Sequence, residues 1–408
     1  MTNLSTEKRP YSVMKLEKIP FMHWGIITKY NFLPEYVRYI PRKRWDPLTS
    51  VEIKLYDEIS RKLVGIGKRK GHFSYISPIR RARPISEEKM KNQKRAKDVF
   101  KPIIEGNDYA IFVDIDCVRR SDPFSLTPEC LNIEDSRVAT IINRYPATVR
   151  YIDREILDEV KSAIEDEFTR IAYGINLVTF PVNYSETLSD VRLKDLLAIL
   201  KSMKNSILSV ADAAKKKGFT LVPVYPFFNI GVMAGGSQPR LHSQIYIDLN
   251  LDGHGAFMEQ ILQAFDEMKR RGICYLCTSK HDGRIVYENS TWLAWTSLSP
   301  RRNYHLRVTP KRHVERFTDL DGIELEGLAE ILIRISKGLD ALGVSSHRNL
   351  LVYSNPIGYN SLFHLFIDII PFERIGGIEM LDSCRVARVA PEKVAVELRK
   401  IVSDIVVD

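Results

Sequence analysis

A histidine and a carboxamide, His242 and Gln244, stand two residues apart at the end of the run Phe227-Phe228-Asn229-Ile230-Gly231-Val232-Met233-Ala234-Gly235-Gly236-Ser237-Gln238-Pro239-Arg240-Leu241-His242-Ser243-Gln244. An imidazole serves as nucleophile or base near neutral pH. Glycines let a backbone crowd an anionic group, and a neutral amide donates a hydrogen bond without giving up a proton. Few purely structural elements need all three. A histidine at a strand start can equally be a core residue, but the glycine approach and the amide at Gln244 favour the nucleophile.

These residues must be positioned by a chain of 408 residues, 44% apolar and 27% charged, enough for two ordinary cores or one large core in two halves. No run of eighteen apolar residues occurs, and residues 1–20 are polar and basic without a signal-peptide core. The reading is a cytoplasmic globular protein without a membrane partner. Five cysteines do not make a disulfide framework, and the pair Cys274 and Cys277, spaced C-x-x-C, points first to metal ligation. Cys117 and Cys130 are expected to be buried and inert. The net charge of +9 lies largely in the first hundred residues, including Lys89 to Lys97, which reads as a solvated polar helix. Nucleic acid, an anionic membrane surface and phosphorylated metabolites all suit that charge, which does not choose among them.

Two segments about 130 residues apart read as copies. Strands at Arg137–Ala147 and Asn176–Tyr184 precede a helix over Val191–Lys217 and a closing strand, His242–Asp248. Strands at Arg284–Asn289, Trp292–Ala294 and His305–His313 precede a helix over Leu325–Leu342 and a closing strand, His364–Pro371. Leu193, Leu196, Leu197, Leu200, Met203 and Ile207 form one helical stripe, and Leu328, Ile331, Leu332 and Ile335 form the other. The fold class is α+β: two tandem units, each an antiparallel sheet covered by helices. The expected division is an N-terminal extension over 1–40, a first unit over 41–255 and a second over 256–408, with the boundary falling near Asp252 to Gly272. Trp45, Trp292 and Trp295 are expected in cores.

The order of Arg44-Trp45-Asp46-Pro47-Leu48-Thr49, Ser77-Pro78-Ile79-Arg80-Arg81-Ala82-Arg83-Pro84, Asn143-Arg144-Tyr145-Pro146-Ala147, the Asn229 to Gln244 run, and Gly377-Ile378-Glu379-Met380-Leu381 with Pro391-Glu392 resembles the galactose-1-phosphate uridylyltransferase family of the histidine-triad superfamily. The resemblance extends from about Arg42 to the C-terminus and implies a fold of two tandem histidine-triad-like units. That family's His-Pro-His-x-Gln motif corresponds here to Arg240-Leu241-His242-Ser243-Gln244. The resemblance implies that His242 attacks the α-phosphorus of a nucleotide sugar and carries the nucleotidyl group. Its other ring nitrogen must then be held by a fixed acceptor, for which a backbone carbonyl would serve.

The resemblance further implies that Gln244, Ser237 and the amides at Gly235 and Gly236 take phosphate oxygens, with Arg44, Arg80 and Arg83 supplying charge to the nucleotide phosphates. Asn143 is implied near uracil or ribose, Asn229 near the phosphates, and Glu379 at the sugar hydroxyls. Arg385 stands where the family has glutamine, which favours an anion over a galactose hydroxyl. Cys274, Cys277, His313 and His364 form a Cys2His2 set for a structural zinc. The first half has Tyr184 and Arg240 at the matching places, so it has lost its metal, and Arg240 sets a fixed charge beside the phosphates. Phe366 and Asp368 replace His242 and Gln244 in the second half, leaving one catalytic histidine per chain. The implied enzyme is a UDP-glucose:hexose-1-phosphate uridylyltransferase-like homodimer using zinc, whose partners are a nucleotide sugar and a hexose 1-phosphate. An ADP-sugar phosphorylase is the nearest alternative, and a non-catalytic nucleotide- or RNA-binding protein is the less favoured alternative from another class.

Overall fold

The computed structural model describes residues 23–56, 63–82, 98–250 and 254–407. Arg83 and the basic run Lys89–Lys97 lie outside them. In chain order the first strands are β1 (Ile26–Ile27), β2 (Arg42–Tyr56), β3 (Leu63–Ile76), β4 (Phe112–Ile115), β5 (Val118–Arg119), β6 (Val138–Ile142), β7 (Tyr151–Ile152), β8 (Thr169–Ile171) and β9 (Gly174–Pro181). They are followed by β10 (Val224–Ile230), β11 (Ser243–Asp248), β12 (Ile285–Glu288), β13 (Trp292–Thr296), β14 (Leu306–Pro310), β15 (Arg348–Tyr353) and β16 (Phe366–Pro371). The helices are α1 (Lys101–Ile104), α2 (Leu157–Ile164), α3 (Leu193–Lys216), α4 (Ala256–Arg271), α5 (Tyr275–Thr278), α6 (Gly322–Ala341), α7 (Gly377–Asp382) and α8 (Pro391–Val402).

Eleven strands form one sheet, β12-β13-β14-β16-β15-β10-β11-β9-β6-β4-β5, with antiparallel neighbours throughout. The repeat is visible in this order: β4, β6, β9, β11 and β10 run inward from one edge as β12, β13, β14, β16 and β15 do from the other. Register makes the equivalence residue by residue. Gln244 pairs with Phe227 and Val178, while Asp368 pairs with Leu351 and Arg307. Phe227 and Leu351 are therefore counterparts, and they also pair with each other where β10 meets β15. A pseudo-two-fold axis passes between them, and what reads as two sheets is one.

Helices α3 and α6 connect β9 to β10 and β14 to β15, and together cover one face. Their buried stripes, including Leu196, Ile199, Leu200, Met203 and Ile207 on α3 and Leu328, Ile331, Leu332 and Ile335 on α6, belong to one hydrophobic cluster spanning both halves. Helix α6 starts on a capping box in which the Asp321 side chain accepts from the Glu324 amide and Glu324 reaches back to the Asp321 amide. Because side chains alternate along a strand, Ile245 and Ile247 of β11 enter this core, while Gln244, Tyr246 and Asp248 are turned to the other face. The open face is thus where polar chemistry collects.

Strands β2, β3 and β8 make a separate sheet. It is tied to the end of β11 by Lys43, fully buried, whose ammonium lies 3.0 Å from Asp248 beneath the ring of Phe73, and by the Tyr75 hydroxyl, which donates to the same carboxylate at 2.6 Å. Residues 23–40 run along the first half, where β1 pairs with β7 and Ile27, Phe32 and Ile40 pack against Val149, Ile152 and Val160. The stretch read as a boundary near 252–272 is largely helix α4, whose Met258, Leu262 and Phe265 pack on Phe363 and Phe366. Trp45, Trp292 and Trp295 are buried. Cys117 is half-buried, and burial pushes its thiol up to about 11; Cys130 is exposed rather than buried. Among the described residues no helix is long and apolar enough to cross a membrane.

Candidate active site and metal centre

His242 stands immediately before β11, 5% exposed, with its ring 5.4 Å from that of Phe100. Its Nδ1 lies 2.8 Å from the carbonyl oxygen of Arg240. A carbonyl can only accept, so Nδ1 carries the proton and the lone pair resides on Nε2. The ring lines a cavity of about 270 Å³ together with Gln244, Ser237, Gln238 and Asn143, walled by Phe100, Ile103, Ile141 and Val178. Part of the lining is apolar, and the rest is polar, with Asp98, Asp108 and Arg144 adding charge to the neutral groups.

The glycine-rich loop shapes this cavity without lining it. Its amides are spent internally: Gly235 donates to the Val232 carbonyl and Gly236 to the Gly231 carbonyl, each at 3.0 Å. They are therefore not the phosphate donors that the family resemblance implies. Gly235 takes φ +88°, and a Cβ on Gly236 would come within 2.6 Å of the Asn229 carbonyl oxygen, so glycine is needed for the turn itself. Asn229 also works inside the loop: its Oδ1 accepts from Asn349 at 2.7 Å, and Asn349 donates to the Ala234 carbonyl at 2.9 Å, tying the loop to the second half. Asn143 lines the cavity while its Oδ1 accepts from the Tyr145 amide at 2.9 Å, so it serves the turn as well. Gln238, which local spacing did not single out, has a buried Oε1 without a hydrogen-bond partner in this cavity.

Arg240 departs from its expected place beside the phosphates. Its guanidinium donates twice to one oxygen of Asp98, at 2.9 and 2.7 Å, and to the carbonyls of Pro181 and Val182, at 2.9 and 2.7 Å. Four of its five donors are committed, and it lies over the ring of Tyr184 at 5.1 Å. Asp98 was not legible as a site residue, because it follows the basic run with no motif around it. Its other oxygen accepts from the Phe100 amide at 3.0 Å, so one carboxylate steadies both the cavity wall and the segment that orients His242.

The counterpart in the second half brings four metal-ligating side chains together. Cys274, Cys277, His313 and His364 offer ligand atoms all within 4.8 Å of one another, with Cys274 Sγ 3.4 Å from His364 Nδ1 and Cys277 Sγ 3.3 Å from Nδ1 of both histidines. Tetrahedral ligands at bonds of about 2.0–2.3 Å stand roughly 3.3–3.8 Å apart, so the donor set fits zinc. His364 Nε2 donates to the Pro310 carbonyl at 3.2 Å, presenting Nδ1 to the centre, and burial holds its imidazole neutral by lowering its pKa to about 4. Pro310 and Pro181 are equivalent by register, so His364 and Arg240 take the same carbonyl in their two halves.

Phe366 and Asp368 occupy the places of His242 and Gln244. Asp368 is buried and clamped by Arg307 at 2.7 and 3.0 Å, with His305 at 3.2 Å; Arg307 and His305 hold its carboxyl well below the usual range. Ion pairs fill this face. Glu379, on α7, pairs with Arg302 and lies 3.4 Å from Arg385, which pairs with Glu373 at 2.5 Å. Neither Glu379 nor Arg385 is among the residues around His242. Arg44 donates to Thr169 at 3.3 Å on the small sheet and does not reach the cavity, whereas Arg80 touches its wall, donating to the Tyr145 carbonyl at 3.3 Å.

A HIT domain model matches residues 278–375, in the half that does not contain His242. ADP-glucose phosphorylase of Arabidopsis thaliana is 24% identical over 311 residues, 70% of this chain and 81% of its own length. Galactose-1-phosphate uridylyltransferase of Thermotoga maritima is 25% identical over 189 residues, 43% of this chain and 59% of its own length. In three dimensions the Arabidopsis ADP-glucose phosphorylase crystallised with ADP-glucose matches 81% of this chain and 95% of its own, with a TM-score of 0.59 at 22% identity. A uridylyltransferase structure matches 66% of this chain and 86% of its own, with a TM-score of 0.57 at 24% identity. Residues 278–375 thus carry a HIT domain, and over most of its length the chain shares the fold of galactose-1-phosphate uridylyltransferase-like proteins and is similar in sequence to the two enzymes just named.

Proposed function

We propose that the chain is a nucleotidyltransferase that moves a nucleoside monophosphate through a covalent nucleotidyl-His242. The observation that carries this is the Nδ1 contact to the Arg240 carbonyl, which puts the lone pair on Nε2 in a ring that borders the cavity. In the first step Nε2 bonds to the α-phosphorus and the bridging P–O bond breaks, its electron pair leaving with the distal phosphate. In the second, an oxygen of an acceptor phosphate attacks the same phosphorus and the ring nitrogen departs. The acceptor is already an anion, so no general base is required. Gln244 and Ser237 stabilise the phosphoryl oxygens as neutral donors, while Phe100, Ile103, Ile141 and Val178 hold the base.

Zinc held by Cys274, Cys277, His313 and His364 would knit α5 to the ends of β14 and β16 as a structural ion. The sugar end of the substrate is less defined by this chain, because Glu379 and Arg385 stand apart from His242. The family resemblance supports a homodimer in which they complete the partner's pocket. UDP-glucose with a hexose 1-phosphate acceptor is the default pair of substrates. A second reading, phosphorolysis of ADP-glucose, is favoured by the Arabidopsis relative's coverage of this chain. Incubation with UDP-glucose and with ADP-glucose, followed by intact-mass detection, should give one nucleotidyl adduct that is absent in His242→Ala. The donor giving a burst of glucose 1-phosphate identifies the base, and turnover with inorganic phosphate separates phosphorylase from transferase. Transfer surviving in His242→Ala would refute the mechanism.

A further inference from the structure

Beside the His242 cavity lies a second, of about 320 Å³, bordered by both residues that flank the pseudo-two-fold axis, Phe227 and Leu351. Its walls include Tyr225, Tyr246, Tyr353, Phe73 and Phe257. The two cavities adjoin through the sheet. Phe227, on the wall of the second, is the cross-strand partner of Gln244, on the wall of the first, and Tyr246 is the next residue along β11 on the same face. Arg80 bridges them, donating to the Tyr145 carbonyl on one wall at 3.3 Å and to the Tyr246 hydroxyl on the other at 3.1 Å.

The second cavity is built of ring faces. Its hydroxyls offer little: Tyr75 donates its proton to Asp248 at 2.6 Å, while Tyr246 accepts from Arg80 and Tyr353 from Arg301 at 3.0 Å, which leaves each of those two a single proton to donate. A hexose entering here would strip water from a ring of hydroxyls and recover few hydrogen bonds. A flat aromatic ring needs only π-faces and apolar walls, and it finds both.

We propose that this cavity is the subsite for the group carried on the distal phosphate, and that it takes a planar aromatic ring joined through phosphate in preference to a bare hexose. Its place in the reaction rests on the nucleotidyl-transfer reading above, with an aryl phosphate replacing the default hexose 1-phosphate; its ring preference does not. When Nε2 bonds to the α-phosphorus, the bridging P–O bond breaks and the aromatic phosphate leaves with the electron pair into this cavity; an attacking phosphate oxygen reverses the step. A second nucleobase and a simple aryl group share the required chemistry, and the donors tested distinguish them.

Two measurements on the full chain test this. By calorimetry, 1-naphthyl phosphate should bind at least about tenfold more tightly than glucose 1-phosphate, and Phe257→Ala should weaken naphthyl phosphate about tenfold, the scale of losing one stacking platform. Phe257 is 47% exposed, so its truncation leaves the core intact. Adduct formation on His242 is then compared for ADP-glucose, a diadenosine polyphosphate and an aryl ester of ADP. A faster adduct from the dinucleotide assigns a second nucleobase, and one from the aryl ester assigns a simple aryl group. Glucose 1-phosphate binding as tightly as naphthyl phosphate, or naphthyl phosphate binding unchanged by Phe257→Ala, overturns the proposal. If no donor forms an adduct while naphthyl phosphate binds and responds as stated, the transfer reading fails and the aryl-phosphate site stands.

Discussion

Asp98→Asn isolates the charge that stands where the second half gathers Cys274, Cys277, His313 and His364. The substitution keeps the volume and an oxygen for the Phe100 amide, but strands Arg240, which is 5% exposed, without its counter-charge. Removing one partner of a buried ion pair costs about 3–5 kcal/mol. Arg240 would keep the Pro181 and Val182 carbonyls and the face of Tyr184, so the lower end applies, about 3 kcal/mol. Against a typical domain stability of about 5–15 kcal/mol, that is readily seen in urea unfolding. The same segment carries the carbonyl that orients His242, and a misplacement of about 1 Å costs on the order of 100-fold in rate, so single-turnover adduct formation should slow as well. Asp98→Asn with Arg240→Gln should recover part of the stability, because no charge is left buried and both side chains keep an amide for the Phe100 amide and the Pro181 and Val182 carbonyls. A loss below about 1 kcal/mol, the value of a solvated pair, would refute the reasoning. So would a double variant no more stable than Asp98→Asn.

Metal analysis should return about one zinc per chain, and Cys274→Ser should lower the melting temperature with little effect on adduct formation; two zincs would contradict the replacement of one site by Arg240 and Asp98. Gly236→Ala drives a Cβ to within 2.6 Å of one carbonyl oxygen and 2.9 Å of another, so the loop must shift at a cost of about 1–3 kcal/mol, and adduct formation should fall through Ser237 and Gln238; wild-type rates would show that the loop does not position the cavity. His281, stacked on Trp295 at 3.9 Å, is held neutral by burial and by Arg284 and Arg307, with its pKa lowered to about 4. The unfolded chain then takes up its proton first, so stability present at pH 7 is lost as pH falls from about 6.5 toward 4. The urea midpoint of His281→Phe should depend less on pH over that window, and an equal dependence would exclude His281 as the source.

What the sequence determined by itself was periodic or local. The stripes of α3 and α6, the alternation along β11 and β16, and the internal repeat follow from which positions are apolar, and burial enforces that pattern. The equivalences of Gln244 with Asp368 and Arg240 with His364 could be drawn from spacing, and strand register reproduces both. The four metal-ligating side chains were legible because cysteine and histidine have few other reasons to share such positions. Only the tertiary structure decided that the two units fuse through β10 and β15 into one sheet, since edge strands carry no local sign of which edge they will meet. It alone revealed Asp98 as the partner of Arg240, 142 positions away, and turned that arginine from a phosphate ligand into an internal clamp. It also showed that the Gly235 and Gly236 amides are spent within their own turn. Residue type states which bonds a group can make, and packing decides which of them it does make.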